Sequence, residues 1–131
     1  MKRILFPIAM FAIAFSLVCC SGKGDRLTHK SARHAAERYF TMLIDGHYEE
    51  YVDGLAGSDS MPEDLRSEMI DLVAQFAANH KVRREMLSVV AADDSLRDST
   101  AFVLLDVFYG DSTSERVGMP LVFSDGRWLM Q

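Results

Sequence analysis

Apolar side chains between Thr28 and Ile44 stand at Ala32, Ala35, Ala36, Tyr39, Phe40, Leu43 and Ile44. Steps of three and four put them on one face of a helix. Thr28 is placed to cap its start, and Gly46 stands where a left-handed residue ends a helix. A shorter helical run follows from His47 to Ala56, with Tyr48, Tyr51, Val52 and Leu55 inward, weakened and ended by Gly54 and Gly57. A third helix opens on the capping box Ser60-x-x-Glu63, with Pro62 in its first turn. Its expected buried stripe is Leu65, Met69, Leu72, Val73, Phe76 and Ala77. Glu63, Asp64, Glu68 and Asp71 load its first half, and His80, Lys81, Arg83 and Arg84 follow its end. Both ends therefore complement the helix dipole.

After Lys81 the period changes. Met86 to Ala92 is a short β-prone run, ended by Asp93-Asp94-Ser95. Ala101 to Tyr109 is rich in Val, Leu and Phe and stops at Gly110-Asp111. Glu115 to Phe123 comes next, then Ser124-Asp125-Gly126, then Arg127 to Gln131. Asp125-Gly126 between apolar runs signals a hairpin, because both turn positions need positive φ. A two-residue turn would set Phe123 opposite Trp128 as a core pair. In the second strand Ala101, Val103, Leu105, Val107 and Tyr109 point one way; Phe102, Leu104, Asp106 and Phe108 point the other. The turn from Gly110 to Thr113 has either parity, so which set Val117, Met119, Leu121 and Phe123 join stays open. Helices first and four strands afterwards imply an α+β domain: helices packed on one face of an antiparallel four-stranded sheet.

Upstream, Met1-Lys2-Arg3 is basic and Ile4 to Val18 is almost wholly apolar. At about 1.5 Å per residue that run spans roughly 22 Å as a helix, short of the ~30 Å hydrocarbon core, which favours a cleaved signal over a membrane span. Leu17-Val18-Cys19-Cys20-Ser21-Gly22 resembles the lipobox of bacterial lipoproteins. Cys20 fits that frame best, because it puts Leu17 three residues before the modified cysteine. The resemblance implies a diacylglycerol thioether on Cys20 and a further acyl chain on its freed amine. Two or three chains hold a protein on a bilayer where one does so only marginally. The expected organisation is residues 1–19 as signal peptide, 20–27 as lipidated cysteine and tether, and 28–131 as a single domain. Ser21 after the cysteine points to the outer membrane of a Gram-negative envelope, facing the periplasm. Both cysteines lie in the lipobox, so no disulfide is expected. The formal charge is −5, and removing Lys2 and Arg3 leaves 12 basic against 19 acidic side chains, or −7. That balance argues against nucleic acid as a partner.

Tyr39-Phe40-x-x-Leu43-x-x-Gly46-x-Tyr48 opens the domain, Ala101-x-Val103 lies in a central strand, and Leu121-Val122-Phe123-Ser124-Asp125-Gly126-Arg127-Trp128-x-Met130 closes it. Together these residues resemble the small bacterial lipoproteins of the nuclear-transport-factor-2-like (cystatin-like) superfamily, over roughly Thr28 to Gln131. The resemblance implies a curved sheet wrapped around a long helix, making a cone. In some relatives the cone holds a ligand or an active site; in others it is filled and the domain binds partners or dimerises. Fold alone does not choose between them.

Asp106 is a carboxylate within an apolar run, and isomerases on the resembling fold use a pocket carboxylate as a proton shuttle, which burial would tune. Tyr39, Tyr48, Tyr51 or Tyr109 would have to polarise the substrate. An outward-facing strand aspartate is the plainer reading. His29 and His34 are five apart, about 140° around a helix, so no metal pair is expected. His47 borders a turn. His80-Lys81-Arg83-Arg84 reads as a solvated helix end before it reads as a phosphate grip. No cofactor motif occurs.

Three functions follow: a lipid-anchored interaction or binding module without catalysis, a domain holding a small apolar ligand in its cone, and, third, an isomerase or dehydratase using Asp106. Asp106, Tyr109, Tyr39 and Trp128 are the candidate pocket or interface residues. The uncovered sheet face, with Asp106 or Tyr109 near its centre, is a candidate surface for a homodimer or another envelope protein. Replacing Cys20 with Ala is expected to move the protein from the membrane pellet to the soluble fraction and to abolish lipid mass on the mature chain. An unchanged pellet, with no lipid on the parent by mass spectrometry, refutes the anchor.

Overall fold

The computed structural model describes residues 26–131; the leader, Cys20 and most of the tether lie outside the described residues. Helix α1 spans His29–Asp45, α2 Tyr48–Asp53 and α3 Glu63–Arg83, with a 3₁₀ turn at Ser58–Ser60. Four strands follow: β1 Met86–Arg97, β2 Thr100–Tyr109, β3 Ser114–Ser124 and β4 Arg127–Met130. They form one antiparallel meander in the order β1-β2-β3-β4, with the helices on one face.

Helix α1 lies along β1 and β2. Thr28 caps it reciprocally with Ser31, and Gly46 closes it at φ 85°, as the spacing predicts. Ala32, Ala35 and Ala36 are fully buried, and Tyr39 and Leu43 nearly so. Three side chains no longer than a methyl let the helix approach the strands closely. The other half of that contact is polar. His29, Arg33 and Glu37 recur every four residues, on one stripe of α1. His29 and Arg33 both bond Asp94, whose side chain is 1% exposed. Glu37 accepts from the Ala91 amide at 2.7 Å. Strand β1 bulges between Ala91 and Asp93, which disturbs the ladder there. Glu37 takes up the amide beside that bulge.

This stripe corrects the expectation that Asp93-Asp94-Ser95 ends the first strand. The strand runs on to Arg97, because Asp94 finds two partners on the helix, the Arg33 guanidinium and the His29 imidazole. The capping box at Ser60 does not form either: Ser60 belongs to the 3₁₀ turn, and α3 starts after Pro62 with no side-chain cap.

The hairpin at Asp125-Gly126 has the two-residue loop expected, with φ of 51° and 77°. Phe123 and Trp128 meet edge-to-face with centroids 5.1 Å apart. Trp128 is fully buried; its indole N–H donates to the Ser31 hydroxyl at 2.9 Å, and its carbonyl accepts from the Tyr39 hydroxyl at 2.6 Å. The open parity is settled by register: Val103 faces Met119, Ala101 faces Leu121 and Leu105 faces Val117. Those pairs share the inner face. After α2 the chain crosses the last strand, where Met130 donates to Gly54 and accepts from Ala56.

Gly54 lies where no side chain fits. A Cβ there would sit 2.2 Å from Cε1 of Tyr39. Gly54→Ala is expected to displace that ring, break its bond to Trp128 and cost about 1–3 kcal/mol in denaturant unfolding; an unchanged midpoint refutes the packing. Asp94 gives a second test. Burial alone would raise its pKa, but the bonds from His29 and Arg33 outweigh burial and hold it below the usual carboxylate value. A depressed pKa stabilises the fold above the unfolded value, ~3.9, and that gain is lost as pH falls through the lower folded one. Asp94→Asn is therefore expected to melt below the parent at pH 7, with the gap closing in acid below about pH 4. A gap independent of pH counts against the ionic account.

Candidate functional site

Between the inner sheet face and the three helices lies a cavity of about 350 Å³. That is at the lower end for small-molecule sites. Leu43 from α1, Leu55 after α2, Phe76 from α3, and Leu105, Met119 and Met130 from the strands supply apolar wall. The polar groups gather at the end formed by the β2–β3 turn and the end of α3. Tyr109 is the last residue of β2, on the inward set, and is 4% exposed. Its hydroxyl donates to Glu115 at 2.8 Å. His80 stacks on its ring at 5.9 Å and 6°, and the Arg84 guanidinium lies 3.9 Å over it. Arg84 also donates to Glu115 at 3.2 Å and to the Thr113 hydroxyl at 3.0 Å.

These groups sort into roles. Burial first, and the Glu115 carboxylate second, raise the Tyr109 pKa, so the phenol stays a neutral donor. Burial also raises that of Tyr51, another lining residue. Glu115 is held by a phenol and a guanidinium together. His80 retains unused capacity: its Nδ1 is buried and makes no hydrogen bond to any described residue. The arrangement can orient a ligand and offer it a polar contact. It does not pair a nucleophile with a base. Among the described residues, no group of three or more His, Cys, Asp or Glu is placed to hold a metal ion, and no helix is long and apolar enough to cross a membrane.

Of the residues singled out in the sequence, Tyr109 lines the cavity. Tyr39 and Trp128 are in the core beneath α1, bonded to one another. Asp106 is on the outer face, bound by Arg116 through two hydrogen bonds of 2.9 and 3.2 Å. The hydrogen bond from Arg116 holds its carboxyl below the usual range, so it stays charged and away from the cavity. That is the reverse of what a proton shuttle needs. Cys20 lies outside the described residues. His29 binds Asp94 at the far end of α1.

Glu115 escaped the sequence reading, and His80 and Arg84 were placed only in a basic helix end. The missing information was the parity of the Gly110–Thr113 turn. With Asp106 opposite Arg116, Glu115 stands opposite Val107 and so faces inward beside Tyr109.

Neither a protein-family model nor a curated protein sequence matches this chain. Among solved structures it is similar to a protein of Campylobacter jejuni provisionally described as an NTF2-like transpeptidase. The TM-score is 0.61 at 15% identity, over 74% of this chain and 94% of the other. At that identity the likeness is one of fold. Helices over an open four-stranded antiparallel sheet, together with this likeness, give the described residues a fold of the nuclear-transport-factor-2-like kind.

Proposed function

We propose that this domain is a non-catalytic binding module that takes one small, largely apolar ligand into its cone, tethered to the cell envelope through lipidated Cys20. The observation that carries the ligand reading is the cavity itself: apolar walls with polar groups gathered at one end. Filled cones leave no such volume. Glu115 is already satisfied by Tyr109 and Arg84, so His80 is the group with capacity left for a ligand's polar end. The ligand this describes has an aliphatic or aromatic body and one hydroxyl, carbonyl or carboxyl group.

The probe is N-phenyl-1-naphthylamine, whose fluorescence rises in apolar surroundings. Val117→Trp puts a large side chain into the cavity wall, whereas Phe108→Ser removes an exposed ring from the outer sheet face. Saturable binding of one dye per chain is expected. Val117→Trp should weaken it at least about tenfold while melting cooperatively, and Phe108→Ser should leave it unchanged. The opposite pattern would place the dye on the outer face and end the cone reading.

A further inference from the structure

The two edges of the sheet are finished differently. Strand β1 is interrupted by two bulges, and Glu37 occupies the Ala91 amide beside one of them. Both devices keep a further strand from pairing there. The other edge is shared by β4 and β3. Strand β4 pairs only with residues 121–124, and the Gln131 amide adds one bond to the Pro120 carbonyl. Over residues 114–119, β3 has β2 on one side and no strand on the other, and its register there is free of bulges. Alternate residues of an antiparallel strand turn both backbone groups to one neighbour. Pro120 turns its carbonyl to Gln131, so Gly118 and Arg116 turn their N–H and C=O groups to the same side, where no backbone group among the described residues meets them.

This bare edge borders the cavity. Glu115, Val117 and Met119 line it from the inward side of β3, and Gly118, Pro120 and Gln131 border it as well, although 118 and 120 have the outward parity. The opening therefore runs along β3. Its opposite lip is α3. Leu65, Leu72 and Phe76 of that helix are expected from the sequence to be buried, but all three are exposed; of these Phe76, 53% exposed, reaches the cavity. Neither α2 nor α3 lies along β3. Arg116 is drawn across the outer face by Asp106, which leaves the edge itself clear.

We propose that the bare edge of β3 accepts an extended peptide segment of a partner protein, laid antiparallel to β3 in line with β4, with one apolar side chain entering the cavity between Val117 and Phe76. A row of strand-spaced backbone donors and acceptors is met by another backbone, which a small ligand does not supply. At the ~4.8 Å spacing of neighbouring strands, the peptide residues opposite Gly118 and Arg116 exchange hydrogen bonds with them. The residue between, opposite Val117, then points inward. The cavity of about 350 Å³ admits a leucine, methionine or phenylalanine side chain there. This deepens the cone reading by naming what carries the apolar group, and it rests on that reading for the inward side chain alone. The backbone bonds need only the edge.

The probes are peptides acetyl-Lys-Thr-Val-Xaa-Val-Thr-Lys-amide, with Leu, Phe, Met or Ala at Xaa, added at up to about 1 mM to the full chain in detergent micelles. Amide hydrogen exchange, read by NMR, reports on the edge. The Leu, Phe or Met peptide is expected to slow exchange at Gly118 and Arg116 at least about tenfold, and the Ala peptide to bind at least about tenfold more weakly. N-methylating both valines, whose N–H groups face β3, should abolish the protection. N-methylating Xaa, whose N–H faces away, should leave it in place. Val117→Trp, which fills the inward space, should erase the preference for Leu over Ala and keep the protection. Protection of the parent without any preference at Xaa ends the cone reading and supports the edge. No slowing at Gly118 by any of the peptides overturns the proposal, whether or not the cavity takes up dye. So does protection lost equally with either methylation. A parent that sediments as a dimer with Gly118 already protected overturns it too, because a second copy then holds the edge.

Discussion

The approach of α1 to the sheet is the contact on which the rest of the domain depends. Ala32, Ala35 and Ala36 permit it by their size, and Asp94, held by His29 and Arg33, fixes its rotation and height. Burying that carboxylate is tolerable only because the Arg33 guanidinium and the His29 imidazole both meet it. Larger residues at the alanine positions would lift the helix and leave Asp94 unpaired. Trp128 adds a third fixed point, since Ser31 and Tyr39, both on α1, bond its two ends. The first three turns of α1 are thus pinned to β1 and β4 at once.

The cavity follows from where this close contact stops. Beyond Tyr39 the helix presents Phe40 and Leu43, larger than the alanines before them, and α3 contributes one buried side chain to the interior. Helix α2, only six residues long, cannot fill the space by itself. One end of the cone is therefore packed and the other open. The polar cluster stands at the open end, where the half-exposed Glu115 is answered by Tyr109 and Arg84.

Element order, the caps of α1, the final hairpin and its Phe123–Trp128 pair were legible because local rules decide them: helical period, a capping threonine, and a turn needing two positive φ values. Three features were not. The face on which Glu115 lies depends on the parity of a four-residue turn, to which period-two patterning is blind. The length of β1 depends on Asp94 meeting a helix sixty residues earlier in the chain. The exposure of Leu65, Leu72 and Phe76 also escaped, because an apolar period shows only that a stripe is to be covered. Whether the covering surface belongs to the same chain is a tertiary fact.

That last distinction bears on how α3 is read. Its apolar residues at 65, 69, 70, 72, 73, 76 and 77 cover an arc of about 160° of its circumference, and of these only Ala77 is buried. Its charges lie in two blocks, acidic in the first half and basic at the end. Sorting them, acidic first and basic last, also stabilises the helix itself through its dipole. That arrangement supports α3 at the edge of the fold, where Ala77 is its one buried side chain.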